Sequence, residues 1–239
     1  MNYAAKSIAA RDRLIFALDV PTRDAALEWI DRLGDAVSFY KIGMELLTSG
    51  DYFAVLAELA ARGKKVFVDL KFFDVPATVA SAVKGLTRYP VHFCTIHGND
   101  GMMRAAAAVK GDIKLLAVTA LTSLDQHDLD DLGFQVDAEK LVLSRAKAAL
   151  AAGCDGVVSS GLEVAALRRE IDHALITVCP GIRPIGNTGD DQKRTLDVAE
   201  AFAAGADYIV VGRPIRNAAD PRAAAEAMVE TIHGAIGNI

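Results

Sequence analysis

The stretch Lys65-Val-Phe-Val-Asp-Leu-Lys-Phe-Phe-Asp-Val-Pro-Ala-Thr78 is an apolar run that carries two carboxylates and an ammonium where a core is expected. Read with a period of two, Val66 to Lys71 is a β-strand, so Asp69 and Lys71 share one face and Leu70 takes the other. Pro76 suits the first turn of a helix. Phe72 to Val75 then becomes a short connection with Asp74 at its entrance, and Asp-x-Lys-x-x-Asp gathers three charges at the carboxyl end of one strand. A lone Asp-x-Lys pair reads as a structural ion pair. Inward-facing charges in greater number are costly unless paired, and read as a preorganised network of the kind found in active sites.

The elements that must position these charges repeat along the chain. Leu14 to Val20 reads as a strand followed by a helix over Ala25 to Leu33, closed by Gly34. Ser38 to Leu46, with Lys41 inside it, repeats the strand, and Tyr52 to Arg62 repeats the helix. Lys65 to Phe73 with Ala77 to Arg88, and His92 to His97 with Gly101 to Lys110, make the next two units. Ile113 to Thr122 leads through an acidic connection to a helix over Ala138 to Ala152. Gly156 to Ser160 with Val164 to Glu170, Leu175 to Pro180 with Thr195 to Ala204, and Tyr208 to Val211 with Pro221 to His233 complete eight units.

Strands apolar on both faces that alternate with helices belong to a parallel sheet. Eight such units in 239 residues fit a single-domain (β/α)8 TIM barrel spanning residues 1–239. A doubly wound sheet would offer a Gly-x-Gly-x-x-Gly turn after the first strand, where this chain has Asp19-Val-Pro-Thr22. Barrel active sites lie at the carboxyl ends of the strands. Asp19, Lys41, Asp69, Lys71 and Asp74 are therefore expected to converge there from three adjacent strands.

A second constellation closes the chain. The seventh strand runs into Cys179-Pro-Gly-Ile-Arg-Pro184 and the eighth into Val211-Gly-Arg-Pro214. Glycines there let backbone N–H groups approach an anion, and Arg183 and Arg213 offer fork-shaped donors suited to phosphate. Loops seven and eight of such barrels commonly bind phosphate. The polar segment from Arg183 to Arg194, with Gly186 and Gly189, reads as a lid whose Gln192 reaches a ligand on closure, or else as a plain surface loop.

Composition narrows the function. Lys and Arg total 26 against 31 Asp and Glu, a net charge of -5, and no basic cluster is interleaved with aromatics, which argues against nucleic acid as a partner. The three cysteines, Cys94, Cys154 and Cys179, have no paired spacing and read as buried thiols of a cytoplasmic protein. The amino terminus lacks an apolar targeting segment, and no stretch reaches the roughly 18 uncharged residues of a membrane span.

Together, Asp69-x-Lys71-x-x-Asp74, Ala17-Leu-Asp19, Lys41-Ile-Gly43, Leu121-Thr-Ser123, Pro180-Gly-Ile-Arg-Pro184 and Gly212-Arg-Pro214 closely resemble the bacterial type of the orotidine 5'-phosphate decarboxylase family, in order and over essentially the whole chain. The resemblance implies removal of carbon dioxide from orotidine 5'-monophosphate to give UMP, the last step of de novo pyrimidine synthesis, with no metal and no organic cofactor. It also implies a homodimer whose sites borrow residues from the neighbouring subunit. By the same resemblance Lys71 is the general acid toward C6 of the pyrimidine, and Asp69 lies beside the substrate carboxylate. Lys41 would bind the ribose and hold the two aspartates, Asp19 would hydrogen-bond the ribose, and Asp74 with Thr78 would reach the ribose of the neighbour's substrate. Thr122 with Ser123 would read the pyrimidine edge. Gln192, Arg213 and the Gly212 amide would take the phosphate, with Arg183 in the same set.

That chemistry needs such residues. Loss of carbon dioxide from C6 leaves an electron pair in the ring plane, where the π system cannot absorb it, so stabilisation must be electrostatic. A cation fixed at C6 favours the developing carbanion over the dispersed carboxylate of the substrate, which is the differential binding that catalysis requires. Enzymes lower barriers by roughly 8 to 23 kcal/mol, and an undelocalised carbanion demands the upper part of that range.

Two other readings compete. Metal-dependent relatives of the hexulose-phosphate synthase and keto-gulonate-phosphate decarboxylase type share Asp-x-Lys-x-x-Asp, but at the second strand they resemble one another in carrying a Glu that binds magnesium. This chain has Lys41, and an ammonium cannot coordinate a metal. A UMP-binding module that has lost catalysis would most simply lack Lys71, which is present. His92 and His97 are expected on opposite faces of a strand, not as metal ligands. Asp128, Asp130 and Asp131 read as a solvated connection, and Trp29 as a helix residue facing the barrel.

Overall fold

The computed structural model describes residues 6–183 and 196–237. Eight strands, β1 (Leu14–Ala17), β2 (Phe39–Ile42), β3 (Lys65–Phe72), β4 (Phe93–His97), β5 (Lys114–Val118), β6 (Gly156–Val158), β7 (Ile176–Cys179) and β8 (Tyr208–Val211), close into a barrel in sequence order. Every neighbouring pair is parallel, including β1 with β8. The principal helices that cover it are Arg23–Leu33, Tyr52–Ala61, Pro76–Leu86, Asp100–Ala107, Ala138–Ala151, Val164–Glu170, Val198–Ala203 and Pro221–Gly237. The chain is thus the (β/α)8 barrel that its strand and helix rhythm predicts.

Local chemistry sets the helix ends. Thr22 accepts a hydrogen bond from the Ala25 N–H at the start of Arg23–Leu33, and Asp197 with Glu200 forms a capping box at Val198. Pro76 occupies the first turn of its helix, as its fixed φ favours. Three segments depart from the expected reading. Met44 to Leu46, expected as the end of the strand Ser38 to Leu46, belong to the short helix Met44–Thr48, so β2 stops at Ile42. Gln126–Asp131, expected as a solvated connection, is a helix whose Asp125 and Asp128 form a capping box. The helix expected from Thr195 begins at Val198.

The barrel interior is layered. Ile15, Phe39, Phe67, Phe93 and Leu116 point inward and pack together, while Phe16, Tyr40, Val66, Val68 and Cys94 point outward into the helical shell. Four rings make a floor across the barrel: Phe93 lies 5.1 Å from Phe39, 5.8 Å from Phe67 and 5.0 Å from Tyr208, centroid to centroid. Trp29 faces the barrel as expected, 5.7 Å from Phe16. Below the floor, Asp207 accepts hydrogen bonds from Lys6 Nζ and Arg168 Nη2, both at 2.7 Å. The next inward layer above the floor is charged, and it forms the site.

Candidate active site

The carboxyl ends of the strands surround a cavity of about 250 Å³. Alternation carries the inward register from Phe39 to Lys41 on β2 and from Phe67 to Asp69 on β3, which replaces the aromatic floor by charges one layer up. Lys41 Nζ donates to Asp19 Oδ1 at 2.8 Å and lies 3.7 Å from Asp69 Oδ2; Lys71 Nζ donates to Asp69 Oδ2 at 2.9 Å. The result is a row of alternating sign, Asp19, Lys41, Asp69, Lys71. Desolvating one ion costs several kcal/mol, and in such a row each inner charge has two opposite neighbours to offset that cost. Gly43 borders the row: a Cβ there would make ordinary van der Waals contact with Asp19 Oδ1 at 3.4 Å and Lys41 Nζ at 3.5 Å.

Burial pushes the Asp69 carboxyl toward its neutral form. The nearby Lys41 and Lys71 cations, with hydrogen bonds from Lys71 and Thr95, oppose this and hold it below the ordinary carboxylate value. Asp69 is therefore ionised at neutral pH, and it keeps two ammoniums at one place.

The geometry of Lys71 departs from a regular strand. Val68 pairs with Cys94 and Phe72 with Ile96, so Asp69, Leu70 and Lys71 stand opposite the single residue Thr95. This bulge gives Lys71 a φ of +50°, unique among the described non-glycine residues, at a cost of order 1–3 kcal/mol. The expected convergence of Asp69 and Lys71 holds, but a bend produces it where the sequence pattern predicts simple alternation. Thr95 escapes sequence reasoning. A threonine inside an apolar strand is the only signal, and its role depends on a pairing irregularity that sequence does not display.

Across the cavity lie Thr122, Ser123, Arg183, Gly212 and Arg213, together with Arg216, another residue that sequence reasoning does not single out. Arg216 Nη1 donates to the Asp19 carbonyl, tying the short helix Arg213–Arg216 after β8 to the segment that follows β1. Gly181 turns the chain after β7 with φ of +77°, a conformation that disfavours any side chain. Arg183 N–H donates to the Leu196 carbonyl at 2.9 Å. Gln192 and the rest of the expected lid, 184–194, lie outside the described residues.

Two expected site residues do not join this cavity. Asp74 is exposed and accepts from the Val75 N–H at 2.6 Å, and Thr78 is exposed on the following helix. The expected convergence of five charges is therefore a convergence of four within one chain. Asp74 instead lines a shallow hollow with Phe73, Val75, Pro76 and Met102. The histidines serve packing: His92 meets the edge of Phe39 at 5.8 Å and His97 lies 5.0 Å from the Phe73 ring. The described residues contain no cluster of three or more metal-ligating side chains. Cys94, Cys154 and Cys179 are free and buried.

A closed barrel with ionisable groups gathered at the carboxyl ends of its strands is the architecture of a (β/α)8 enzyme. Residues 12–228 match the model of the orotidine 5'-phosphate decarboxylase / HUMPS family. The chain belongs to that family, and it is a carboxy-lyase. An orotidine 5'-phosphate decarboxylase of Methylococcus capsulatus is 65% identical over 222 residues, covering 92% of each chain. One from Xanthomonas campestris is 58% identical over 238 residues, covering 99% of this chain and 98% of that one. The crystal structure of orotidine 5'-phosphate decarboxylase from Lactobacillus acidophilus superposes with a TM-score of 0.81 at 34% identity, covering 92% of this chain and 99% of that one. Among the described residues no helix is long and apolar enough to cross a membrane.

Proposed function

We propose that this chain decarboxylates orotidine 5'-monophosphate to UMP and carbon dioxide in pyrimidine biosynthesis, with Lys71 as the general acid and no metal or organic cofactor. The observation that carries the reading is the Asp69–Lys71 pair, 2.9 Å apart, on one wall of a cavity whose other wall holds Arg183, Gly212 and Arg213. The arginine side suits a phosphate, and the apolar floor suits a pyrimidine ring. The family match and the names of the relatives support the substrate.

In this mechanism the bond between C6 and the carboxylate carbon breaks, and its electron pair stays on C6. Nζ of Lys71 gives that carbon a proton while carbon dioxide departs, and the neutral amine recovers its proton from water. Asp69 faces the substrate carboxylate and fixes the ammonium. Lys41 and Asp19 hold the ribose, Thr122 and Ser123 read the pyrimidine edge, and Gln192, Arg213, Arg183 and the Gly212 N–H hold the phosphate. Phosphate binding supplies energy for drying the site, where the charges act in low dielectric. The enzyme works in the cytoplasm as a homodimer, with Asp74 and Thr78 reaching the neighbouring subunit's substrate. Their exposure and their absence from their own chain's cavity favour that arrangement.

The metal-dependent relatives are the second reading to test, because the family model spans both kinds. Lys41 counts against them: its ammonium stands between Asp19 and Asp69, the two carboxylates that would otherwise be open to a cation. The deciding experiment follows orotidine 5'-monophosphate by ultraviolet absorbance with and without excess EDTA. Loss unaffected by the chelator supports the proposal. Loss abolished by the chelator would overturn the cofactor-free mechanism, tight UMP binding without turnover points to a binding module, and neither turnover nor UMP binding points to the metal-dependent relatives with their different substrates.

A further inference from the structure

We propose that Thr95 is a positioning residue that sets both the orientation of the Asp69 carboxylate and the backbone bend that presents Lys71. The inference rests on the proposed role of Lys71. Thr95 is fully buried on β4 and is the single residue facing the three-residue bulge of β3. Its hydroxyl donates to Asp69 Oδ1 at 2.9 Å and accepts from the Lys71 N–H at 3.0 Å. A hydroxyl has one proton and two lone pairs, so these two bonds fix its direction.

Each bond settles a freedom that nothing else in the pair settles. The torsion that turns a carboxylate is broad, and a bond to one oxygen leaves it loose. With Oδ1 held by Thr95, Oδ2 faces Lys71 at 2.9 Å and Lys41 at 3.7 Å. The second bond falls on the one described non-glycine residue whose backbone lies in the left-handed region. In a regular strand the Lys71 N–H would donate to a backbone carbonyl of a neighbouring strand; here it finds a side-chain acceptor instead, which keeps the bend from leaving a donor unpaired. One hydroxyl thereby couples the partner carboxylate to the backbone that carries the proton donor, and Lys71 arrives beside C6 already aimed.

Thr95→Val keeps the shape and removes both bonds; Thr95→Ser keeps the hydroxyl and removes the methyl. Losing a hydrogen bond to a charged group in the active site should lower kcat of T95V by about ten- to a hundredfold. KM and UMP affinity should stay within about threefold, because the phosphate contacts lie on the other wall. T95S should stay within about threefold of wild-type kcat, since its hydroxyl retains both partners. Equal kcat in T95V and wild type would overturn the proposal, as would equal losses in T95V and T95S, which would assign the effect to packing. Should T95V fail to fold, Thr95→Cys, with its weaker donor, replaces it: kcat below that of T95S supports the proposal and equality overturns it. Crystal structures of T95V, or of T95C in its place, decide the point independently of turnover. A rotated Asp69 or a Lys71 returned to extended backbone supports it, and an unchanged pair overturns it. If wild type leaves orotidine 5'-monophosphate intact, the assigned reaction falls, and these structures still judge Thr95.

Discussion

Lys41, on β2, donates from Nζ to Asp19 Oδ1 at 2.8 Å, and its own carbonyl accepts from the Leu18 N–H at 2.9 Å. Side chain and backbone of one residue therefore both hold the chain where it leaves β1, whose last residue is Ala17. The pair fixes where the negative end of the charge row begins.

Replacing Lys41 by Met keeps the length of the side chain and removes its charge. Asp19 and Asp69 are then left in each other's field with one cation fewer, and because the Lys41–Asp19 pair is only partly buried the cost falls between the ~1 kcal/mol of an exposed pair and the ~3 kcal/mol of a buried one. We expect lower stability in urea and a loss of turnover. A K41M protein as stable and as active as wild type would show that the row does not depend on its inner cation.

Lys71→Ala and Arg213→Ala should fail differently. The first removes the proposed proton donor and should lower kcat by at least about a hundredfold, while UMP affinity is largely kept. The second removes a charged donor to phosphate and should lower kcat/KM by about ten- to a hundredfold, weakening UMP binding in step. Near wild-type turnover in K71A would reject Lys71 as the acid, and unchanged constants in R213A would move the phosphate elsewhere.

Asp74 offers a test of subunit sharing. Asp74→Ala and Lys71→Ala proteins, each impaired alone, should regain activity when mixed and allowed to exchange subunits. A hybrid then holds one site with both residues intact, which happens only if they come from different chains. Mixtures no more active than the separate proteins would assign Asp74 to its own chain.

The acid limb of stability carries the signature of Asp69. Its carboxyl is held below the ordinary 3.8 in the folded chain. The unfolded chain therefore takes up the proton first as pH falls, so the stabilisation is complete above 3.8 and is lost as pH drops from there through the lower folded value. Asp69→Asn removes this contribution. Urea unfolding over the acid range should show a shallower loss for D69N than for wild type, and parallel curves would contradict the assigned ionisation.

The fold was legible because its signals are local. Short apolar strands, helix caps such as Thr22 and Asp197, and Pro76 at a helix start all act within a few residues of themselves. The charged strand ends were legible too, since Asp19, Lys41, Asp69 and Lys71 interrupt apolar runs. Other features depend on distant partners. Met44–Thr48 has an apolar composition that suits strand and helix alike, and its state is decided by where β2 leaves the sheet. Thr95 and the bend at Lys71 arise from the pairing register between β3 and β4, which no single strand encodes. The outward turn of Asp74 likewise follows from the path of the loop and not from its spacing to Lys71.

The floor of Phe39, Phe67, Phe93 and Tyr208 makes the reaction chamber a cul-de-sac. Whatever enters at the strand ends must leave by the same door. In the proposed reaction carbon dioxide and nucleotide share that door, so the gas departs past the nucleotide or waits for it. The barrel thereby imposes a traffic rule on the two products, one that follows from the aromatic plug and would change if Phe67 or Phe93 were cut back to alanine.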